Sequence, residues 1–299
     1  MLAPDVDAVL ERAHRQIASD AASNPLINPT FDVDALRNAL LGSPGPTWVF
    51  ERDGEITAHL YAALLQGGGE LAAWTGPDGS SADDNGDLTT LVEFASTHWR
   101  DRGARHHFVW CSATHEHVTR WRDMGYTAFS TRGALVLSRE RARGRRNEYV
   151  VRRAERRDLP VAYDLDEQLD RAQGDAPERR TPSERRAIRR DLRDTLLDPD
   201  NNHLVLEIEG RVVAQCVTFR APARRGSYPN TVFLSEVAVD HDFRRRGVAR
   251  QLVDHALSLA RDDGFEFCET QWRLSNREAA LFWSAYGFTA TYQRLQRAL

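Results

Sequence analysis

The chain has 299 residues, 41% hydrophobic and 28% charged, enough for two cores at about 150 residues each. Its formal net charge of −4 gives no bulk attraction to nucleic acid or to an anionic membrane. All 40 Lys+Arg residues are arginine, which fits a GC-rich bacterial genome and leaves no lysine to act as a base. The three cysteines, Cys111, Cys216 and Cys268, lie far apart in apolar stretches and read as buried thiols in a reducing compartment. Cys111, between His107 and His115, has the best claim to reactivity. No signal peptide or membrane-length apolar run stands out, so the expected location is cytoplasmic.

Two helical patterns open the chain, at about 5–19 and 32–41. Strands at 47–51 and 56–65 flank Asp53-Gly54, a hairpin signal. A strand at 71–75, a helix at 88–102, a strand at 106–111, a helix at 115–124 and a strand at 127–137 follow. Residues 139–147, RERARGRRN, read as a basic linker, since no aromatic residue is interleaved to stack on bases. Then come a strand at 149–153, helices at 159–172 and 182–197, and a hairpin of 204–208 and 212–220 around Glu209-Gly210. The arginines of Arg185–Arg193 fit a solvated helix face. The chain closes with a strand at 231–240, a helix at 251–262, a strand at 266–273, a helix at 277–286 and a strand at 289–295.

The two halves repeat. Trp121-x-x-x-Gly125-Tyr126-Thr127-Ala128 and Trp283-x-x-x-Gly287-Phe288-Thr289-Ala290 lie 162 residues apart (283 − 121). The offset is 156 between Gly54 and Gly210 (210 − 54), a small loop insertion. We read two copies of one α/β unit, 1–140 and 148–299. They differ chemically. In the second, the apolar strand Leu234–Val239 enters Arg244-Arg245-Arg246-Gly247-Val248-Ala249 and then a helix. A glycine-bearing, arginine-rich turn at a helix N-terminus makes an anion site, because the first-turn amides lack partners and the dipole favours negative charge. Diphosphate is the natural guest. The first copy has GPDGSSADDNGD at 76–87 instead, where Asp83, Asp84 and Asp87 would repel a diphosphate, and Thr114 stands in the place of Asn276. The first copy is therefore expected to have lost coenzyme binding.

The spacing Arg244-x-x-Gly247-x-Ala249 matches the Q/R-x-x-G-x-G/A signature of the GNAT acetyltransferase superfamily. Asn276-x-x-Ala279-x-x-x-Trp283-x-x-x-Gly287-Phe288 resembles its second signature, N-x-x-A-x-x-x-Y-x-x-x-G-F. The resemblance covers about 149–299. It implies an α/β protein of two tandem GNAT-like domains, each a mixed central sheet flanked by helices, similar to two-domain bacterial acetyltransferases of the mycothiol synthase type. It implies an N-acyltransferase that moves an acetyl group from acetyl-CoA to the amine of a small molecule by direct attack on the thioester, with no metal. A protein N-terminal acetyltransferase and a coenzyme-A-binding pseudoenzyme with a sensing or scaffold role stay open. A monomer or homodimer is expected, without a nucleic-acid or membrane partner.

By resemblance, the backbone of Val237, Ala238 and Val239 would bond the pantetheine arm. Amides of Arg245, Arg246, Gly247, Val248 and Ala249 would hold the diphosphate, with Arg244 at the signature position. Asn276 would contact the pantetheine arm, and the Val239 amide would polarise the thioester carbonyl. The family's usual acid is a tyrosine where this chain has Trp283, whose indole N–H is no useful proton donor to a thiolate. Tyr286 is the nearest substitute, against a core-tyrosine role. Glu236 and Glu269 are the base candidates, against plain strand glutamates. Strict strand alternation puts Ser235 and Glu236 on opposite faces, so at most one would face the cleft. The histidines at 106, 107, 115 and 117 match no familiar metal-ligand spacing.

Overall fold

The structure, a computed structural model, describes residues 3–30, 32–42, 46–67, 70–137, 149–173, 182–222 and 225–299. The expected basic linker at 139–147 lies outside the described residues. The chain forms two compact units, one of residues 1–132, 224–227 and 290–299, the other of 133–223 and 228–289. Two segments of the C-terminal half thus belong to the first unit. Among the described residues no helix is long and apolar enough to cross a membrane.

The first unit starts with helices α1 (Ala3–Ser23) and α2 (Val33–Gly42), joined by Val6, Val9, Leu10 and Ala13 against Leu36 and Leu40. Strands β1 (Thr47–Arg52) and β2 (Glu55–Tyr61) form the hairpin that Asp53-Gly54 signals. Both turn residues have positive φ, 54° and 82°, as a tight hairpin turn requires. The single strand expected over 56–65 is two strands. The chain breaks at Ala62 into β2 and β3 (Ala63–Gly67), which join different sheets. The hand-over is fixed at Tyr61, whose N–H donates to Gly79 O (2.7 Å) and whose carbonyl accepts from Thr75 Oγ1 (2.9 Å). Strand β4 (Glu70–Thr75) pairs with β3, and the short β5 (Ser80–Ala82) pairs with β2. Helix α3 (Asn85–Asp101), strand β6 (Ala104–Ser112), helix α4 (His115–Asp123) and strand β7 (Thr127–Val136) follow.

The second unit holds β8 (Val150–Arg153), α5 (Leu159–Ala172), α6 (Pro182–Leu197), β9 (Asn202–Ile208), β10 (Arg211–Arg220), β11 (Thr231–Val239), α7 (Val248–Asp262), β12 (Phe267–Arg273) and α8 (Arg277–Tyr286). Its strand order is β12-β11-β10-β9-β8, with β11 and β12 parallel and the other pairs antiparallel. The last strand, β13 (Thr289–Ala298), pairs antiparallel with β6 from Tyr292↔Ser112 to Ala298↔His106. The first unit therefore has the order β3-β4-β6-β13, with β4 and β6 parallel. Each copy carries one parallel pair whose two strands are joined in sequence through a helix, α3 in the first and α7 in the second.

Helix α7 buries Val248, Leu252, Val253, Ala256, Leu257 and Ala260, one stripe at helical spacing. These residues share a core with Leu204, Leu206, Val213, Leu234, Trp283 and Phe288. Helix α5 supplies Leu165 to a smaller cluster with Val205, Val212 and Ala238. Along β10, Val212 and Val213 serve different clusters, so the sheet is covered on both faces. All three cysteines are free and buried, and burial pushes the Cys111 thiol up to about 12.

The first unit uses its acidic loop for construction. Asp83 takes both terminal nitrogens of Arg12 at 2.9 Å, Asp84 caps α3 through Gly86 N–H, and Asp87 accepts from Arg52 and Thr57. Asp78, fully buried, is paired with Arg225 of the 225–227 segment, and Asn28 anchors the same segment through Gly226 O and Ser227 O. Across the parallel pair, α1 closes onto α4. Gln16 Nε2 lies 3.2 Å from His117 Nε2, and Asp20 lies 3.6 Å from His117 Nδ1. A cavity of only about 20 Å³ remains there, lined among others by Gln16, Asp20 and Trp121.

Burial raises the Asp20 pKa from 3.8 to about 7, against the hydrogen bond from Gln16. The unfolded chain gives up this proton near pH 4 and the folded one near pH 7. Stability contributed by protonated Asp20 is thus complete below pH 4 and drains away as pH rises to 7. Asp20→Asn keeps the shape and the acceptor for Gln16. It is expected to raise stability by about 1–3 kcal/mol at pH 8 and by nothing near pH 4, which urea denaturation at the two pH values will show.

Candidate functional site

The site begins where β11 and β12 part. Their parallel pairing runs from Thr231↔Phe267 to Leu234↔Thr270. At its end Thr270 Oγ1 donates to Leu234 O at 2.9 Å, so a side chain takes the carbonyl that the ladder would use next. Immediately beyond, Glu236 adopts φ 50°, a left-handed conformation that costs a non-glycine residue about 1 kcal/mol or more. The pairing to β10 shows the consequence. Val217 faces Ser235 and Gln215 faces Ala238, two steps along β10 against three along β11. This is a β-bulge, and it bends β11 away from β12.

The bulge overturns the expected alternation. Ser235 Oγ lies 3.4 Å from Glu236 Oε1, so these side chains adjoin rather than occupy opposite faces. After the bulge, Asp240 N–H donates to Val213 O of β10. Backbone groups alternate along a strand, so the N–H and C=O of Val237 and Val239 face the open edge, while those of Ala238 face β10. The Val239 carbonyl accepts Arg244 Nε at 3.2 Å.

The turn after β11 is held by Asp240, whose Oδ1 accepts Asp242 N–H at 3.1 Å and whose Oδ2 accepts Arg211 at 2.9 Å. Those two bonds account for the carboxylate in the grouping of Asp240, His241 and Asp242, which reads as a turn cap. Arg245 and Gly247 then have φ 60° and 82°. Gly247 is the N-cap of α7, and Gln251 N–H to Gly247 O (3.0 Å) closes the first helical turn. A Cβ on Gly247 would meet nothing within 4 Å, so glycine is needed there for its φ and not for space. The helix starts three residues before the expected 251 because this left-handed cap lets Val248 enter the core at once. Amides at a left-handed turn and a helix start converge on one point, an anion-binding arrangement.

Asn276 caps α8, its side chain accepting Ala279 N–H at 3.0 Å. Trp283 is buried, with its ring 4.9 Å from Phe282 and 5.1 Å from Phe288. Between β11, the turn, α7 and α8 lies a cavity of about 610 Å³, the size of a small-molecule site. Of the residues expected to bind coenzyme, Val237, Ala238, Val239, Arg244, Arg245, Gly247, Val248, Ala249, Asn276 and Trp283 line it. Arg246 does not; its guanidinium lies 5.2 Å from the Phe243 ring centre.

Residues 165–288 match the profile of the acetyltransferase (GNAT) family. The match lies wholly within the second half of the chain. The whole chain shares its fold with a GCN5-related N-acetyltransferase from Sphaerobacter thermophilus (TM-score 0.65, 15% identity, 98% of this chain and 92% of that one). It is also similar to a tandem GNAT protein from the clavulanic acid biosynthesis pathway (TM-score 0.54, 14% identity, 99% and 97%). At these identities the likeness is one of fold, a tandem arrangement of two GNAT-like α/β units. No curated protein gives a significant match.

In the second unit, the sequence missed the wall made by α5. Leu169 and Ala172 line the cavity. The helix is pinned there by Gln168 Oε1 accepting His241 N–H (3.2 Å) and by Ser275 Oγ donating to Gln173 O (2.6 Å). The expected catalytic residues are dispersed, and none of the three lines the cavity. Glu236 is half-buried at the bulge. Glu269 is buried on β12 opposite Phe233, and its Oε2 has no hydrogen-bond partner among the described residues. At the repeat offset its counterpart is His107 (269 − 107 = 162), buried with both ring nitrogens bonded, Nε2 donating to Thr75 and Nδ1 accepting from Tyr126. Burial holds His107 at about 3, hence neutral. The histidine pairs of the first copy are thus structural in part and assemble no metal cluster among the described residues.

Tyr286 donates its hydroxyl to Asp254 Oδ1 on α7 at 2.5 Å, and Arg250 stacks on its ring at 5.2 Å. Burial, then the Asp254 carboxylate, push its pKa up, which makes it a weaker acid than a free phenol. Tyr286→Phe is expected to lower stability by about 1–3 kcal/mol through the lost charge-assisted bond and to leave kcat within a factor of about two. A kcat loss of tenfold or more at retained stability would return the hydroxyl to the chemistry.

Proposed function

We propose that the second unit transfers an acetyl group from acetyl-CoA to the amine of a small-molecule acceptor. One observation carries the reading: the open edge of β11, the left-handed turn at the α7 N-terminus and the Asn276 cap converge on a single cavity of about 610 Å³. These residues fit the coenzyme. The amides from Arg245 to Ala249, with Arg244 beside them, suit a diphosphate. The backbone of Val237 and Val239 suits the amides of a pantetheine arm, and Asn276 contacts the same arm. Trp283 forms an apolar wall.

The coenzyme supplies the acyl group as a thioester. The protein's part is to hold it, to polarise the carbonyl through Val239 N–H, and to take a proton from the attacking amine. We assign that last role to Glu236, which the bulge sets at the start of the open edge. Trp283 offers no proton, so water protonates the departing thiolate. The protein acts in the cytoplasm of a bacterium, without a metal.

Release of free thiol from acetyl-CoA against a panel of small amines and short peptides tests the proposal. Amine-dependent release with an N-acetylated product is expected, and Glu236→Gln should lower kcat by about a hundredfold while leaving acetyl-CoA affinity unchanged. The dispersal of Glu236, Glu269 and Tyr286 outside the cavity favours one competing reading, a coenzyme-binding protein without turnover. Tight acetyl-CoA binding with no thiol release above the uncatalysed rate for any amine would support that reading instead.

A further inference from the structure

A carboxylate lines the cavity that otherwise suits an anion. Glu278 stands in the first turn of α8, its side chain 65% exposed, with Oε2 at 3.5 Å from Arg244 Nη1. The same guanidinium donates Nε–H to Val239 O at 3.2 Å. Arg244 therefore bridges α8 and the open edge of β11, with its Nη1 on the Glu278 carboxylate.

We propose that Glu278 is a specificity-determining residue that draws the charge of Arg244 to itself and so restrains binding of acyl donors that carry a diphosphate, relative to acyl donors that lack one. The inference rests on the coenzyme reading above. A guanidinium cannot give its full charge to a carboxylate and to a diphosphate at once, and the carboxylate itself repels the incoming anion. Both groups are solvated, so the restraint is modest, a factor of about two to five in affinity. A glutamate in a first helical turn also complements the helix dipole. That role alone would alter the stability of α8 and would not discriminate between ligands.

Calorimetry with acetyl-CoA and with acetyl-pantetheine, which lacks the diphosphate, separates the two. Glu278→Gln is expected to tighten acetyl-CoA by about two- to fivefold, to leave acetyl-pantetheine unchanged, and to lose most of its advantage at about 0.5 M salt. In an Arg244→Met background the gain from Glu278→Gln should shrink, since the restraint acts through Arg244. Equal change for both ligands, or an undiminished gain without Arg244, overturns the proposal while the coenzyme reading stands. A wild-type protein that binds neither ligand takes both down.

Discussion

The candidate site depends on a sheet that is prevented from closing. Two parallel strands in register would pair along their whole length. Here Thr270 caps the Leu234 carbonyl, and two residues later Glu236 turns left-handed and inserts a bulge. The backbone groups of Val237 and the N–H of Val239 are left on an edge without a neighbouring strand, and unpaired backbone seeks a partner. An extended ligand with its own amides satisfies that need by completing the strand. The turn that follows, with left-handed Arg245 and Gly247, aims the first amides of α7 at the end of the same groove. Strain at one residue and a glycine at another thus set both halves of the cleft.

The first copy shows what the same elements become without those devices. Its parallel pair is followed by a turn whose carboxylates bind Arg12, cap α3 and neutralise Arg225. The helix corresponding to α5 lies down on α4 through Gln16 and Asp20, leaving cavities of about 20 and 160 Å³ beside it against about 610 Å³ in the second copy. The position of Glu269 is held by a neutral, fully bonded histidine. Charges that would repel a diphosphate are internal partners instead.

Much of this was legible in the sequence because it was written in local chemistry. Arg244-x-x-Gly247 names a turn, Asn276 a helix cap, and Trp121 and Trp283 the phase of a repeat. Most helices and strands followed from the spacing of apolar residues. What was hidden depends on long-range geometry. The bulge at Glu236 has no marker, since glutamate rarely takes a positive φ, and without it the alternation of Ser235 and Glu236 is misread. The break at Ala62 is invisible because both β2 and β3 are apolar strands, and only their different partners separate them. Tyr286 looked close to the chemistry by helical spacing, yet the carboxylate that claims its hydroxyl is 32 residues away (286 − 254), on α7. The placement of β13 beside β6 likewise follows from pairing and not from order in the chain.

The central claim is that one copy keeps a coenzyme cleft and the other has closed it. The most direct test is calorimetric titration of acetyl-CoA into the full chain and into Gly247→Asp, which places a carboxylate at the helix cap. One site per chain, lost in the variant, is the predicted result. Two sites, or a single site indifferent to Gly247→Asp, would contradict it.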